Sequence, residues 1–565
     1  MGKLEDCIQW AVKNGAIVDD RIHFRQSPIS GISAVVEGIL ASEEPLIQIP
    51  PKLLITNEKA QESFQVDNRV IDKNAPNSLV QLYLAKLKFA KGMPSMYQPY
   101  IDLLPLKLEQ PYFWDWEELQ VIRGTDLYLV MKQSLPKLLH EWISILKKLS
   151  LKPSDDLSQL VSPSLDLVDY VSKYRAKNDE IPWNSFAAYV WSAGIFASRA
   201  FPKIAFHDQC LSINEAFLYP IVDFLNHKND AKVRWSFQDG KMCFISQESL
   251  KSGEELFNNY GDKSNEELLL NYGFVQDNNQ YDDARLTLRL DSQLLDEAEQ
   301  LGVSLSQERV TDNSVQFKLN NDLLSPNLVQ LFALVHKLRS EDGINLRNSL
   351  VGIDSLQSIL MQKVEFFRQK TRMDVSTSRK LQILRKYFDQ QRKLFQSSIE
   401  NGQKLQKELI KSNSEFLTSF KTIFKNDKQF SNSLLLTFGV TKFDDLITKD
   451  CMNQILLLWI VRVANKNEYA KKLPFEVPQF IYDTFQEVSS TIVIEREDVL
   501  QMMGFYQSMF PSLSEKIPEI YGQGNWRIRQ FIVADTVMDR LVWTRKLTQE
   551  PFFVKKQNIV FNKRT

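Results

Sequence analysis

The stretch "NNYGDKSNEELLLNYGF", residues 258–274, contains the tripeptide Asn-Tyr-Gly twice, at 259–261 and at 271–273. Between the two copies, Ser264 is followed three residues later by Glu267 and then by a run of leucines. This is the capping-box pattern that marks the start of a helix. The stretch therefore predicts a short helix between two Asn-Tyr-Gly turns. The two tyrosines are either ordinary core residues beside turns or two walls of one pocket.

The segments that precede this stretch have the pattern of short strands. "FLYPIVDFLNH" (217–227) is an apolar run, which we predict to be a strand that ends at its aspartate, Asp223. It is followed by "AKVRWSFQ", "MCFIS" and "EELFNNYG", which are further predicted strands. Between residues 21 and 50, "RIHF", "GISAVV" and "PLIQIP" are β-branched runs divided by glycine and proline. Such runs also predict strands.

Between these two groups of strands, and again after them, the pattern is that of helices. Apolar residues recur at spacings of three and four from about 52 to 200, and helical periodicity dominates from about 290 onward. These patterns predict an α+β fold. The predicted domains are an N-terminal helix within 1–20, a β-rich domain over 21–289 with a helical insertion at about 52–200, and an all-helical domain over 290–565.

The composition excludes several classes of protein. The 69 basic and 70 acidic residues nearly cancel, so the basic excess typical of nucleic-acid binding is absent. The most apolar run, 455–461, is too short to span a bilayer and predicts a buried helix. Four isolated cysteines in 565 residues indicate a reducing compartment. We therefore expect a monomer in the cytoplasm, or also in the nucleus, that requires neither nucleic acid nor a membrane.

Polar residues suited to ligand binding occur at three further places. Asn226 and His227 follow the apolar run described above, Arg199 follows Ser198 at the end of an aromatic helix, and Gly31 opens "GISAVV". Each has an ordinary structural explanation when it is considered alone. These explanations are a capped turn, a cation at a helix C-terminus and a glycine turn.

In combination and in this order, these segments resemble the motifs of a SET domain. More narrowly, the chain resembles the Rubisco large-subunit methyltransferase-like branch, and within it the ribosomal-protein lysine methyltransferases. The resemblance covers the whole length and includes a helical insertion and a C-terminal helical domain that binds the substrate. One departure is Ser33, where many SET domains have a second glycine. The motifs that carry the resemblance are Gly31-Ile32-Ser33, Ser198-Arg199-Ala200-Phe201, Asp223-Phe224-Leu225-Asn226-His227, Asn259-Tyr260-Gly261 and Asn271-Tyr272-Gly273-Phe274.

The resemblance implies transfer of a methyl group from S-adenosylmethionine to a lysine ε-amine. It implies that Tyr272 faces the transferred methyl group and that Ser198 and Asp223 line the lysine channel. Phe274 packs against either the adenine or the lysine channel. The residues that the resemblance assigns to the cofactor are Gly31, Ile32, Ser33, Arg199, Asn226, His227, Tyr260 and Phe274.

This chemistry depends on positioning and requires no metal. A free lysine has a pKa of about 10.4, and a narrow aromatic channel disfavours its charged form. The amine must then be held in line with the methyl–sulfur bond. The zinc cluster of many histone-directed SET enzymes is excluded, because no cysteine follows Phe274 before Cys451. The segment His207-Asp208-Gln209-Cys210, even with His227, offers too few ligands for a metal site.

Three functions remain open at this stage. The first is a lysine methyltransferase whose substrate is a large-subunit ribosomal protein, with elongation factor 1-alpha as the next choice. The second is a catalytically silent SET-like module that holds a partner protein. The third is methylation of another nucleophile, such as histidine. The presence of Tyr272 together with Asn226 and His227 argues against a silent module.

Overall fold

The structure is a computed structural model, and its chain forms two compact units. The first comprises Met1–Asp283 with Gln369–Gln390, and the second comprises Ala284–Arg368 with Gln391–Thr565. The first unit therefore includes a short segment that lies far along the sequence. The residues that the structure describes are 2–27, 31–92, 95–160, 166–175, 181–206, 210, 212–372, 378–469, 473, 476–559 and 561.

The first unit combines helices with small antiparallel sheets. Its helices are α1 (Lys3–Lys13), α2 (Asn57–Phe64), α3 (Ser78–Phe89), α4 (Gln98–Leu103), α5 (Trp116–Ile122), α6 (Asp126–Lys148), α7 (Leu157–Leu160), α8 (Leu167–Arg175), α9 (Phe186–Arg199) and α10 (Asn265–Tyr272). Its strands are β1 (Ile17–Val18), β2 (Ile22–Ser27), β3 (Gly31–Val36), β4 (Pro45–Ile49), β5 (Ala200–Pro202), β6 (Ala216–Leu218), β7 (Val233–Gln238) and β8 (Lys241–Ser246).

The strands of this unit pair in three groups. One sheet has the order β1-β4-β8-β7, and β2-β3 and β5-β6 form two-stranded pairs. All of these pairs are antiparallel. In β7-β8 the aromatic residue Trp235 lies opposite Phe244, which is fully buried. The strands predicted in 21–50 are confirmed, and so is the helical insertion that separates them from β6, β7 and β8.

Two of the strand predictions are wrong in detail. The strand before Asp223 ends at Leu218, and Asp223 lies in a 3₁₀ turn over Val222–Phe224. Pro220 has no N–H for a sheet, and Ile221 has φ of 74°, so the chain leaves the strand before it reaches Asp223.

The second is "EELFNNYG" (254–261), which forms only isolated bridges at Glu255 and Asn258. The side chain of Asn258 accepts the N–H of Asn259, and the Asn259 side chain accepts that of Gly261. These local hydrogen bonds compete with a sheet ladder, so the segment does not form a strand.

The second unit is mainly helical, but it also carries two three-stranded sheets that the all-helical prediction missed. These sheets have the orders β10-β11-β9 and β12-β14-β13. The strands are β9 (Ala284–Arg289), β10 (Arg309–Thr311), β11 (Ser314–Leu319), β12 (Leu417–Ser419), β13 (Val542–Arg545) and β14 (Glu550–Val554). The strands β10 and β12 have only three residues each, which is too short for a strand period to be recognised in the sequence.

Twelve helices follow α10 along the chain. Ten of them belong to the second unit, and two, α13 (Leu346–Lys370) and α14 (Arg379–Ser412), have residues in both units. The apolar run 455–461 lies in α18 and is buried, as predicted. Among the described residues, no helix is both long and apolar enough to cross a membrane. The helices are α11 (Ser292–Gln300), α12 (Pro326–Val335), α13 (Leu346–Lys370), α14 (Arg379–Ser412), α15 (Phe420–Asn426), α16 (Lys428–Phe438), α17 (Phe443–Thr448), α18 (Met452–Ala464), α19 (Gln479–Thr491), α20 (Arg496–Lys516), α21 (Pro518–Tyr521) and α22 (Ile528–Leu541).

Candidate active site

The helix between the two Asn-Tyr-Gly copies is confirmed as α10. Ser264 and Glu267 form the capping box, and Gly273 ends the helix with φ of 80°. A Cβ atom at Gly273 would lie 2.5 Å from Cβ of Glu109, so both the backbone conformation and the close packing require glycine. The end of α10, and with it Tyr272, is therefore held tightly against the helical insertion.

The two tyrosines of the repeated tripeptide lie face to face. The ring centroids of Tyr260 and Tyr272 are 4.7 Å apart with an interplanar angle of 16°. Tyr260 also stacks with His227 at a centroid distance of 4.8 Å, and the ring centroid of Phe274 lies 6.1 Å from that of Tyr272. The two copies thus form parts of one aromatic cluster, which we call the ring stack (His227, Tyr260, Tyr272 and Phe274).

Hydrogen bonds fix the orientation of His227 and Tyr260. The backbone N–H of Tyr260 donates to Nδ1 of His227 at 3.0 Å, so Nε2 carries the ring proton and donates to Oδ1 of Asn229 at 2.7 Å. Burial lowers the pKa of His227, which favours this neutral form. The hydroxyl of Tyr260 donates to the carbonyl oxygen of Leu225 at 2.8 Å.

Backbone pairing joins the Asn-His segment to the first Asn-Tyr-Gly copy. The N–H of Asn258 donates to the carbonyl oxygen of Asn226 at 2.7 Å, and the N–H of Lys228 donates to the carbonyl oxygen of Asn258 at 3.0 Å. The side chain of Asn226 donates to Oε1 of Glu255 at 2.7 Å. This pairing holds Asn226 and His227 beside the ring stack.

A charged cluster around the buried Asp223 lies at the end of α9. Arg199 Nη1 donates to the carbonyl oxygen of Asp223 at 3.0 Å and lies 3.3 Å from its Oδ2, which also accepts the hydroxyl of Tyr100 at 2.7 Å. Burial raises the pKa of Asp223 to about 6, although Arg199 and Tyr100 act in the opposite direction. The other carboxylate oxygen, Oδ1, is buried and has no hydrogen-bond partner among the described residues.

A cavity of about 720 Å³ brings these groups together. Its lining includes the predicted residues Ser198, Arg199, Asp223, Tyr260 and Tyr272. Burial raises the pKa of Tyr272 to about 12, so its hydroxyl stays protonated at neutral pH. In contrast to the hydroxyl of Tyr260, it makes no hydrogen bond to any described residue. Further aromatic walls come from Phe196, Phe201 and Trp235.

The other predicted site residues lie outside the cavity lining. His227 and Phe274 belong to the ring stack, and Asn226 is placed beside it by the backbone pairing described above. Gly31, Ile32 and Ser33 form the start of β3 and pair with Ser27, Gln26 and Arg25 of β2.

Several residues of the site carry no signal in the sequence. Tyr100 and Trp235 come from segments without a motif. Asn258 and Glu255 were part of a predicted strand, where their role in pairing with Asn226 was not visible. The only available hint was the doubled asparagine at 258–259, since asparagine favours local backbone bonds over a regular strand.

A metal centre has no candidate among the described residues, which contain no group of three or more potential ligands. His207, Asp208 and Gln209 lie outside the described residues. The four cysteines are all free thiols.

Two family descriptions match parts of the chain. Residues 38–261 match the SET domain, and residues 283–413 match the EFM1 middle domain. The SET match covers the residues that line the active-site cavity except Lys263 and Tyr272, and the second match covers the first part of the second unit.

Individual relatives extend this similarity to the full length. Protein-lysine N-methyltransferase EFM1 of Saccharomyces cerevisiae is 43% identical over 98% of each chain. Ribosomal lysine N-methyltransferase 1 of the same organism is 28% identical over 84% of this chain and 89% of its own. A solved structure of Rubisco LSMT bound to AdoMet has a TM-score of 0.53 at 18% identity over 72% of this chain and 93% of its own, which supports the fold.

Proposed function

We propose that this chain, which belongs to the SET-domain protein-lysine N-methyltransferases, methylates a protein of the translation machinery. The enzyme transfers a methyl group from S-adenosylmethionine to a lysine ε-amine. The observation that carries the proposed active-site assignment is a single cavity lined by Tyr272, whose hydroxyl has no hydrogen bond to a described residue, and by the Arg199–Asp223 pair.

Two substrates are proposed, a large-subunit ribosomal protein and elongation factor 1-alpha. Two relatives named as ribosomal lysine N-methyltransferases are 28% and 26% identical, whereas EFM1 is 43% identical. The identities to these relatives therefore do not favour a ribosomal protein over elongation factor 1-alpha as the substrate. Both proteins have to be offered to the enzyme in the same experiment.

The residues present fit S-adenosylmethionine. The cofactor supplies an activated methyl group on a positively charged sulfur. The ring stack offers electron-rich aromatic faces to this positive charge. We assign the cofactor to Asn226, His227, Tyr260 and Phe274, with Arg199. Gly31, Ile32 and Ser33 are assigned to it on the resemblance alone.

Lysine binding is assigned to the cavity beside α9. The aromatic walls disfavour a charged amine, and Asp223 with Ser198 provides acceptors at the channel. The oxygen of Tyr272 is proposed to contact the methyl group through weak C–H···O interactions, which favour the partial positive charge of the transition state.

The second unit is the proposed substrate platform. A lysine side chain is common to most proteins, so selection of one protein requires contacts outside the lysine channel. The large helical unit offers the additional surface, and it contains most of the region that matches the EFM1 middle domain.

The experiment that tests the proposal uses labelled S-adenosylmethionine with purified ribosomes and with elongation factor 1-alpha. Mass spectrometry of the labelled protein identifies the modified residue. Methyl-lysine in either substrate is the expected result. Label on histidine, or no label in a folded enzyme that binds the cofactor, would contradict the proposal.

Asn226→Ala is expected to weaken binding of S-adenosylmethionine by about tenfold or more, which is the effect of losing one hydrogen bond to a charged group. The fold should persist, because the strand ladders do not involve this side chain. Calorimetry of cofactor binding measures the change. Asn214→Ala is the matched control, since Asn214 lines the cavity but is exposed. Equal cofactor affinity in the Asn226→Ala variant and the wild type would refute the assignment.

The pH dependence of kcat/KM should report the ionisation of Asp223. Deprotonation of the substrate lysine gives a slope of about one in log kcat/KM against pH below its pKa. Below about pH 6 Asp223 also becomes protonated and loses the negative charge with which it accepts a hydrogen bond from the amine, so the slope should increase toward two. Tyr100→Phe removes a hydrogen bond that stabilises the carboxylate. The break in the profile, which is the pH at which the slope changes, should therefore move to higher pH. A break that stays in place in this variant would exclude Asp223 as its origin.

A further inference from the structure

Gln110 of the helical insertion is a buried residue beside the active-site cavity. It is 2% exposed and lies directly before a 3₁₀ turn over Pro111–Phe113. Its Nε2 donates to the carbonyl oxygen of Gly194 at 2.8 Å and also to the carbonyl oxygen of Asn271. Because both partners are acceptors, only the amide nitrogen can face them.

The two carbonyl groups belong to the two helices that supply Ser198 and Tyr272 to the wall of the active-site cavity. Gly194 lies on α9, and its carbonyl oxygen also accepts the hydroxyl of Ser198 at 3.0 Å. Asn271 is the residue immediately before Tyr272 on α10. A single amide group of Gln110 therefore connects the wall that carries Ser198 to the wall that carries Tyr272.

Backbone and side-chain atoms approach each other closely on either side of this connection. A Cβ atom at Gly194 would lie 2.6 Å from Oε1 of Gln110, and a Cβ atom at Gly273 would lie 2.5 Å from Cβ of Glu109. Both glycines thus allow residues 109–110 to approach α9 and α10 closely. The contact fixes the two helices relative to each other.

We propose that Gln110 is a positioning residue, which sets the place of Tyr272 relative to Ser198 for methyl transfer. This inference rests on the proposed role of Tyr272. Gln110 touches neither cofactor nor substrate in this proposal, and it acts through the backbone of Asn271. A displacement of a catalytic group by about 1 Å is enough to slow an enzyme strongly.

The test is Gln110→Met, which keeps the length of the side chain and removes the donor. The single-turnover rate is expected to fall by about tenfold or more, while the affinity for S-adenosylmethionine changes little. Gln81→Met is the matched control, because Gln81 lines the neighbouring cavity of about 380 Å³ together with Gln110 but makes no hydrogen bond to Asn271. It should keep the wild-type rate.

A double-mutant cycle with Tyr272→Phe separates positioning from general stability. If Gln110 acts through Tyr272, Gln110→Met slows the Tyr272→Phe enzyme much less than it slows the wild type. Multiplicative effects of the two substitutions, or no effect of Gln110→Met in a folded enzyme, would overturn the inference. If Tyr272→Phe alone has no effect, the proposed role of Tyr272 fails, and the inference fails with it.

Gln110→Asn keeps the experiment decisive if the methionine variant does not fold. The amide is retained but is one methylene shorter, so it reaches one carbonyl group and not both. An intermediate loss of single-turnover rate, non-additive with Tyr272→Phe, is the expected result. A wild-type rate for Gln110→Asn would show that the bridge between the two walls is not needed for methyl transfer.

Discussion

Replacement of Tyr272 by phenylalanine is expected to lower the rate of single-turnover methyl transfer by about 10²-fold, the effect of removing one oriented polar group from an active site. The substitution keeps the ring and its stacking on Tyr260, which has a centroid distance of 4.7 Å. Cofactor affinity should therefore change little. Rapid-quench kinetics with labelled cofactor measure the rate, and calorimetry measures the affinity.

The expectation follows from the different bonding of the two stacked tyrosines. The hydroxyl of Tyr260 donates its proton to the carbonyl oxygen of Leu225, whereas that of Tyr272 is free of hydrogen bonds to the described residues. This hydroxyl belongs to a residue that lines the same cavity as Arg199 and Asp223, and we expect it to be available to the reacting groups. Its pKa is raised to about 12 by burial, so it remains a neutral phenol through the physiological range.

Tyr260→Phe is the matched comparison, because the two residues share the ring stack and the cavity. The bond to Leu225 orients the Tyr260 hydroxyl, and its remaining lone pairs could also contact a methyl group. A loss of 10²-fold in Tyr260→Phe together with a wild-type rate in Tyr272→Phe would move the catalytic role to Tyr260. A loss confined to Tyr272→Phe would support the proposed role.

Local patterns in the sequence predicted the parts of the site that depend on neighbouring residues. The helix α10 is predicted by a capping box, Ser264 with Glu267, and by the glycine at its C-terminus, and both features can be recognised in the sequence. The strands β2, β3 and β4 follow from β-branched runs between glycine and proline. Their physical causes act within a few residues, so the sequence alone is sufficient to recognise them.

The connections between distant segments were not predictable in the same way. Gln110 bonds to residues 84 and 161 positions away, and Tyr100 bonds to Asp223 across 123 positions. Tyr387 belongs to the segment Gln369–Gln390, which returns to the first unit. Its buried hydrogen bond to Glu266 spans 121 positions. None of these three residues, Gln110, Tyr100 and Tyr387, belongs to a sequence motif. Their partners are defined only by the folded chain.

The error at Asp223 has a different cause. The apolar residues before Asp223 are equally compatible with a strand and with a buried turn. The turn is selected by the positive φ of Ile221, which is unusual for a β-branched residue and is imposed by the surrounding structure. The turn places Asp223 where it can form hydrogen bonds with Arg199 and Tyr100. The predicted strand did not indicate these contacts.

The second unit depends on a buried ion pair whose loss should have a large effect on stability. Arg462 of α18 donates to Asp427 with Nε at 2.8 Å and Nη2 at 3.1 Å, and both side chains are almost fully buried. Asp427 also caps α16 by accepting the N–H of Phe430. Removal of one partner from such a pair typically costs about 3–5 kcal/mol, because a buried charge is left without compensation.

Asp427→Ala is therefore expected to lower the free energy of unfolding of the second unit by about 3–5 kcal/mol. Hydrogen exchange in peptides from α16 and α18 localises the change to this unit. Glu487→Ala is the matched control, since the Arg540–Glu487 pair at 3.2 Å belongs to the same unit but is exposed. Its loss should cost at most about 1 kcal/mol.

The same variant tests the proposed substrate platform. At a temperature where the second unit of Asp427→Ala is unfolded and that of Glu487→Ala is folded, methylation of the protein substrate should be lost in the first variant alone. Binding of S-adenosylmethionine should persist in both, because the cofactor residues belong to the first unit. Full methylation of the native protein substrate by Asp427→Ala with its second unit unfolded would show that this unit does not select the substrate. Substrate selection would then have to come from the mouth of the lysine cavity itself.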